Sequence, residues 1–399
     1  MNRKILPLLL WLGLVLSLVP PLLWSYLLNP IPGSQELESF AFSYYLDKYL
    51  WLTNLLGWAL LAGPLLAKFR SGRVGPIVGG ALIVLLAGGA FYLRGYVMNA
   101  ERMFYVPTRN VFLKASQNPL PSHLAVLGVS YRGVHRAYPM YLLSYHHQIY
   151  DTLAGQPLLV TYCIVCRSAR VFEPQLNGMA LTFRLVGMNH YNAILQDHQT
   201  GSWWRQARGV AEFGPLAGKA LPEWPCEQMS LDSWLKKHPD SDIFQPDVHN
   251  PNDVARFATF DRRRAPLDTD GWQPWDWVVG VEHAGQRRAY PWRELVQRRV
   301  LNDTLAAAPL VVALEPDSVS FHVWSRQVNG AVLTFAPPAD SLRNAALLVD
   351  VETGSHWDGS GTCVAGVHAG QRLAGIRAWQ EYWHSWKRFH PTTTQFLGP

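Results

Sequence analysis

Apolar residues are distributed unevenly along this chain, with three long apolar runs in the N-terminal quarter and shorter, alternating runs after them. The long runs cover about residues 5–28, 49–67 and 74–93. Each is close to the ~20 residues that an α-helix needs to cross the hydrocarbon core of a bilayer. No small-x-small cleavage site follows the first run, and two more runs come after it, which disfavours a cleaved signal peptide. We therefore expect three transmembrane helices within residues 1–98, with a kink in the first at Pro20 and Pro21.

Charged residues around these spans predict the orientation of the chain. Basic residues precede the first span and crowd the loop between the second and third: Arg3, Lys4, Lys68, Arg70 and Arg73. The loop between the first and second spans is mainly acidic. Because basic loops stay on the cytoplasmic side, we expect a protein of the bacterial inner membrane with a cytoplasmic N-terminus. Everything after Leu93 is then extracytoplasmic, and the lipid bilayer is the first expected partner.

The part of the chain after the spans repeats itself at one near-constant offset. The recurring segments are Gly128-Val129 and Gly280-Val281, Arg136-Ala-Tyr-Pro139 and Arg288-Ala-Tyr-Pro291, Asp151-Thr-Leu-Ala154 and Asp303-Thr-Leu-Ala306, Asn177-Gly178 and Asn329-Gly330, Thr200-Gly-Ser202 and Thr353-Gly-Ser355, and His238-Pro239 and His390-Pro391. A shared order at a shared spacing indicates a duplication. We assign residues 99–245 to the first copy, 246–277 to a linker and 278–399 to the second copy.

Each copy shows the same pattern of predicted elements. Two short strands are followed by a short amphipathic helix, at about 140–150 in the first copy, and by a buried strand at 157–162. The Asn-Gly pair predicts a hairpin with a type I′ turn. A closing helix at 231–237 precedes His238-Pro239. The fold class is therefore α+β and β-rich, behind a three-helix anchor. The copies either share one core about an approximate two-fold axis or form two separate domains.

Composition narrows the function classes. Hydrophobic residues make up 49% of the chain and charged residues only 16%, which argues against disorder. The formal net charge of +6 is spread along the sequence rather than gathered in one block. We therefore expect no nucleic-acid partner.

The chemistry-bearing motif is Cys163-Ile-Val-Cys166, which directly follows a predicted buried strand. The aligned stretch of the second copy, 315–318, has the pattern of a tight turn between two strands. The duplication therefore predicts that the cysteine pair lies on a strand–turn–strand knuckle rather than at a helix N-terminus. A knuckle directs backbone N–H groups at sulfur, which favours a metal–thiolate site.

Two histidines complete the predicted site. His146 and His147 lie just before the strand that leads to Cys163, and their counterparts in the second copy are arginines. Histidines and cysteines are thus lost together, as expected if they serve one site. Two thiolates with one or two imidazoles suit copper or zinc. A fourth ligand could come from one of three residues: His190, Met188 or His198.

Other functions remain open at this point. The pair could exchange thiols and disulfides, with Arg167 and Arg170 stabilising the thiolate, or it could be a structural disulfide. The soluble part could also be a non-catalytic scaffold that recruits a membrane or periplasmic protein. Cys226 and Cys363 have no counterparts in the repeat, so they either bridge the copies or stay as buried thiols. The leading hypothesis is a membrane-anchored metal-binding protein that acts in metal handling, electron transfer or cofactor assembly.

The motifs also resemble a known family. The order Arg136-Ala-Tyr-Pro139, Tyr145-His146, Thr161-Tyr-Cys163 to Cys166 and Gly201-Ser-Trp-Trp204 with Gln206 is similar to that of domain of unknown function 3179. The similarity covers about residues 125–245 and, more faintly, 278–395. Members typically show Trp-His-Glu and Cys-Pro-Leu-Cys, where this chain has Tyr-His-His and Cys-Ile-Val-Cys. The resemblance implies no activity, but it marks His146, Cys163 and Cys166 as positions to test.

Overall fold

The computed structural model describes residues 5–246, 271–339 and 346–398. The helices are α1 Ile5–Leu27, α2 Phe40–Phe69, α3 Val74–Tyr92, α4 Ala100–Met103, α5 Met140–His146, α6 Leu231–Lys237, α7 Trp292–Arg298 and α8 Trp383–Phe389. The strands of the first copy are β1 Phe112–Lys114, β2 Ala125–Tyr131, β3 Val134–Pro139, β4 Gln148–Leu153, β5 Gln156–Cys163, β6 Ser168–Phe172, β7 Gln175–Leu176, β8 Met179–Ala180, β9 Phe183–Asn189, β10 Asn192–Asp197, β11 Trp203–Arg205, β12 Val210–Phe213, β13 Glu223–Trp224, β14 Glu227–Ser230 and β15 Asp242–Phe244. Those of the second copy are β16 Trp277–His283, β17 Gln286–Pro291, β18 Val300–Leu305, β19 Ala308–Leu314, β20 Phe321–Ser325, β21 Gln327–Val328, β22 Ala331–Val332, β23 Phe335–Ala336, β24 Leu348–Asp350, β25 His356–Trp357, β26 Cys363–Ala365, β27 Ala378–Tyr382 and β28 Thr394–Gln395.

The predicted fold class is confirmed, because a helical N-terminus is followed by a β-rich part built from many sheets. Within the described residues, three helical segments are long and apolar enough to cross a membrane: Ile5–Leu27, Phe40–Phe69 and Val74–Val97. Pro20 and Pro21 lie inside α1, and α2 begins earlier than its apolar run. These helices could contact a lipid bilayer. Most of the predicted linker lies outside the described residues.

The chain divides into two compact units, and the first contains more than the three long apolar helices. It comprises Met1–Tyr105, Leu181–Gln206 and Val210–Ala220, and so includes the sheet β12-β11-β10-β9 of the first copy. Trp24 and Tyr44 of the helices pack with Ile194 and Trp203 of this sheet in one buried cluster. The Met188 N–H donates to the Leu28 carbonyl at the end of α1 (3.0 Å).

An ion cluster joins the same helices and sheet within the first unit. The buried Asp47 carboxylate of α2 accepts a hydrogen bond from Trp24 Nε1 at 2.8 Å. It also pairs with Arg184 of β9 at 2.9 Å and with Arg94 at 3.3 Å. Two cations and an indole thus compensate a carboxylate that would otherwise be costly to bury.

The second unit holds the rest of the first copy and the second copy, Val106–Ala180, Ala207–Gly209 and Leu221–Pro399. Its matching elements recur in pairs: the hairpin β2–β3 corresponds to β16–β17, and β4-β5-β6 corresponds to β18-β19-β20. A Cβ atom at Gly128 would overlap the indole of Trp234, and one at Gly280 would overlap that of Trp386. The recurring glycines are therefore required by close packing of each closing helix on its sheet.

The remaining repeat motifs also have structural roles. Arg136 forms an ion pair with Asp151 at 2.5 Å, and Tyr138 donates to the same carboxylate. The second copy repeats this with Arg288 and Asp303 at 2.6 Å. The Asn177-Gly178 turn has φ of 52° and 79°, as a type I′ hairpin requires. Residues that both copies share thus explain the fold, and residues that only one copy keeps are the candidates for function.

Within the second unit, Tyr382 and Ser230 occupy equivalent positions, and each donates to the turn region of the other copy, although the two acceptors are not equivalent. The Tyr382 N–H, at the start of α8, donates to the Cys166 carbonyl of the first copy at 2.9 Å. Reciprocally, the Ser230 N–H, at the start of α6, donates to Ser320 Oγ of the second copy at 2.9 Å. Such reciprocity is the mark of an approximate two-fold arrangement. The cysteine turn of the first copy is therefore covered by the second copy.

Candidate functional site: the cysteine turn

The cysteine pair lies on a strand–turn–strand knuckle, as predicted. Strand β5 ends at Cys163 and β6 begins at Ser168, and these two residues are paired in the hairpin register. The Cys166 N–H donates to the Cys163 carbonyl at 3.2 Å, which closes a β-turn. Arg167 leaves the turn with a left-handed φ of 54°. Both cysteines are thiols and are buried, with 1% and 0% exposure.

The histidine pair approaches the same end of this hairpin. Helix α5 ends at His146, earlier than predicted, because His147 takes a left-handed conformation with φ 60°. The Tyr162 N–H donates to the His147 carbonyl at 3.0 Å, so the backbone of His147 lies beside the last residues of β5. Burial lowers the pKa of His147 to about 3. Its imidazole is therefore neutral at physiological pH, the form in which histidine binds metals.

The second copy shows which way a side chain at position 147 can point. Its counterpart there, Arg299, has the same left-handed backbone, with φ 63°, and its carbonyl accepts from the Leu314 N–H at 2.9 Å. The Arg299 guanidinium donates to the Glu315 carbonyl and to Ser318 Oγ, both at 2.9 Å. Glu315 and Ser318 are the counterparts of Cys163 and Cys166. The repeat therefore indicates that positions 147, 163 and 166 face one another.

Within the described residues, no group of three or more His, Cys, Asp or Glu side chains is placed to hold a metal ion. His147, Cys163 and Cys166 thus lie at one end of a hairpin without forming a coordination cage. The ring of His146, the other predicted ligand, packs edge-on against Phe244 of β15, with 5.9 Å between the ring centres. His190, one of the suggested fourth ligands, instead bonds to the Gln35 carbonyl at 2.9 Å in the first unit. Cys226 and Cys363 are separate thiols, so they do not bridge the copies.

Side chains of the second copy hold the turn from outside. His384 Nε2 donates to the Val165 carbonyl at 3.0 Å, and burial lowers the pKa of His384 to about 4. Arg167 Nε donates to Gln380 Oε1 at 2.8 Å, and its guanidinium lies 3.7 Å from the centre of the Trp277 ring. His384 could not be identified from the sequence. Its counterpart in the first copy is Asp232, and the pattern shared by the two copies does not show which residues of one copy contact the other. Gln380 could have been found, since Gln228 recurs at its position.

A buried ion pair lies on the next strand. Arg170 of β6 pairs with Glu381 of β27, and these side chains are only 2% and 1% exposed. Arg170 also approaches Glu223 at 3.5 Å, and Ser385 donates to Glu381 at 2.8 Å. Burial raises the pKa of Glu381, although Arg170 opposes this. The charge of Arg170 is therefore largely balanced by carboxylates, whereas Arg167, next to Cys166, bonds to a neutral amide.

Comparison with known proteins adds one finding. Residues 108–256 and 246–396 each match the model of a family described as "Protein of unknown function (DUF3179)". This confirms the resemblance stated from the motifs and the two tandem copies. No curated protein matches the chain, and no solved structure matches it.

Proposed function

Because the chain belongs to the DUF3179 family, whose description carries no activity, we propose its function from its own residues: a membrane-anchored protein in which Cys163 and Cys166 form a thiol–disulfide couple. The observation that carries this proposal is the hydrogen bond from the Cys166 N–H to the Cys163 carbonyl (3.2 Å). A β-turn keeps its first and last Cα atoms within about 7 Å, and a disulfide needs about 4.4–6.8 Å. The Cα separation that the turn imposes is therefore compatible with a Cys163–Cys166 disulfide while the strand pairing of β5 and β6 is kept.

The reaction is a two-electron exchange with a disulfide. One cysteine, as its thiolate, attacks a sulfur of the co-reactant disulfide and releases one thiolate. The second cysteine, as its thiolate, then attacks the sulfur of the first cysteine in the mixed disulfide. This forms the Cys163–Cys166 bond and releases a second thiolate from the co-reactant. The pair loses two electrons, and its two protons go to the released thiolates. The reverse sequence reduces the pair.

The surroundings of the turn set the class of co-reactant. Arg167, directly after Cys166, supplies a fixed positive charge that favours a thiolate. Both thiols are buried, and the second copy covers the turn through Tyr382 and His384. Because both thiols are enclosed, we expect the co-reactant to be a small disulfide rather than a loop of a folded protein.

The cellular location supports the same chemistry. Basic residues flank the spans on the side of the N-terminus, which favours the positive-inside orientation in a bacterial inner membrane. The β-rich part is then extracytoplasmic, where disulfides persist.

The experiment is a redox titration of the full chain. Protein reconstituted in lipid nanodiscs is equilibrated with glutathione buffers of graded ratio, its remaining thiols are alkylated, and the peptides are weighed. We expect Cys163 and Cys166 to become protected together in one two-electron transition, which Cys163→Ser abolishes. Cys226→Ser and Cys363→Ser are the matched controls and should leave that transition unchanged. Alkylation of both Cys163 and Cys166 at every ratio would overturn the proposal.

A second candidate is a soft metal site for copper or zinc. It is favoured by the contact of Arg299 with Glu315 and Ser318, which indicates that His147 can turn toward Cys163 and Cys166. Thiolates are the ligands that Cu(I) and zinc accept readily, and burial keeps His147 neutral. His146, on the preceding residue, is the alternative imidazole.

The same nanodisc sample tests this candidate by elemental analysis after purification with reductant. It predicts one copper or zinc ion per chain, which is lost in Cys163→Ser and reduced in His147→Ala. Comparing the metal content of His146→Ala with that of His147→Ala shows which imidazole binds the metal. A metal-free chain that still shows the glutathione transition would leave only the thiol–disulfide couple.

A further inference from the structure

A cleft of about 720 Å³ lies between the two copies in the second unit. Eight of its fourteen described lining residues form four equivalent pairs from the two copies, such as Ala125 with Trp277 and Arg167 with Val319. The cleft therefore lies on the approximate two-fold axis. Its volume is within the range of about 300–1,000 Å³ that small-molecule sites occupy.

The divergence of these pairs explains why the cleft is open. On one side of the axis, Trp277 and Arg167 stack with 3.7 Å between the guanidinium and the ring centre. On the other side, the equivalent positions hold Ala125 and Val319, whose side chains are too small to fill the same space. The cleft is thus half filled by an indole–guanidinium stack and half empty where a second stack would fit.

The lining defines the chemistry of an occupant. Trp277 and Trp292 provide apolar, aromatic surface, and among the lining residues that the structure describes Arg167 carries the permanent charge. Guanidinium groups match carboxylates in geometry and charge. Gln228 lies beside it, with its Oε1 accepting from the Gln380 N–H at 2.9 Å. We propose that this cleft binds a small aromatic carboxylate, with the ring against the tryptophans and the carboxylate toward Arg167.

This site goes beyond the thiol–disulfide couple, and its test has a separate readout. Full-length chain in lipid nanodiscs is titrated by calorimetry with 1-naphthoate and with its neutral analogue 1-naphthalenemethanol, and empty nanodiscs serve as the blank. We expect saturable binding of both, with naphthoate at least about tenfold tighter because its charge-assisted hydrogen bonds are lost in the alcohol. Arg167→Gln should bring the naphthoate affinity down to that of the alcohol.

Ala125→Trp is the second variant, and it does not depend on removing a buried charge. It places in the first copy the residue that the second copy already carries at Trp277, so it fills the cleft and should abolish binding of both probes. Arg208→Ala removes an exposed cation outside the lining and should change neither affinity. Equal affinity for the two probes, absence of saturable binding, or unchanged binding in Ala125→Trp would each overturn the proposal.

Discussion

The buried Arg170–Glu381 pair offers the sharpest test of how the two copies are held together. Both side chains are almost fully buried, at 2% and 1% exposure, so solvent screens their interaction little. Removing one partner of such a pair leaves an uncompensated charge and typically costs about 3–5 kcal/mol. Arg170→Met should reach this range, because it leaves Glu381 with the Ser385 hydroxyl. Glu381→Gln should cost less, about 1–3 kcal/mol, because Arg170 keeps Glu223 at 3.5 Å.

The assay is a double-mutant cycle on the thermal unfolding of the full chain, with both single variants and the double variant. The destabilisation of the double variant should be smaller than the sum of the two single destabilisations by more than about 1 kcal/mol, because neither charge of the pair is then left without its partner. Lys236→Met breaks the exposed Lys236–Asp232 pair, at 75% and 53% exposure, and serves as the control with an expected change within about 0.5 kcal/mol. Additive effects within about 0.5 kcal/mol would refute the reasoning.

Three further predictions follow from single features of the structure. Gly128→Ala places a methyl group against the Trp234 indole and should destabilise the chain by at least about 1–3 kcal/mol in thermal unfolding. Gly375→Ala is the control, because its methyl group would enter open space and should be nearly neutral. Burial lowers the pKa of His147 to about 3, below the usual 6.5 of a histidine, so its contribution to stability is present above pH 6.5 and is lost as the pH falls toward 3. His147→Gln should therefore lose less thermal stability between neutral and acid pH than the unmodified chain, and an equal loss would contradict this. A C-terminal alkaline phosphatase fusion should be active and a C-terminal green fluorescent protein fusion dark, because the positive-inside pattern predicts an extracytoplasmic C-terminus; the opposite result would contradict that orientation.

The periodic and local features of the fold could be predicted from the sequence. The three apolar spans, the Asn177-Gly178 turn and the closing helix at Leu231–Lys237 each follow from residues close together in the chain. The cysteine knuckle could be predicted because the second copy has a turn pattern at the same offset. Helix α5 was placed too long, since the left-handed residue that ends it, His147, is not a glycine and gives no signal in the sequence.

Contacts between distant segments could not be predicted. The sheet β9–β12 packs with the long apolar helices α1 and α2, whereas its counterpart β23–β26 belongs to the second unit. The two sheets differ in side chains such as Trp203, which is His356 in the second copy. Whether such a side chain packs on the helices depends on the helix surface opposite it, which a comparison of the two copies does not reveal. The same holds for His384, which reaches Val165 across 219 positions of sequence. Tertiary contacts, rather than local sequence, determine the position of this sheet and the contact of His384.

Fragment mass spectrometry of the oxidised full chain shows whether Cys163 and Cys166 are disulfide partners. The chain is treated with oxidised glutathione, its remaining thiols are blocked, and the peptide that spans residues 163–166 is sequenced without reduction. We expect a peptide lighter by two hydrogen atoms, with the bond between Cys163 and Cys166 and with Cys226 and Cys363 alkylated. A peptide in which both Cys163 and Cys166 carry the blocking group, or in which either is joined to Cys226 or Cys363, would contradict it.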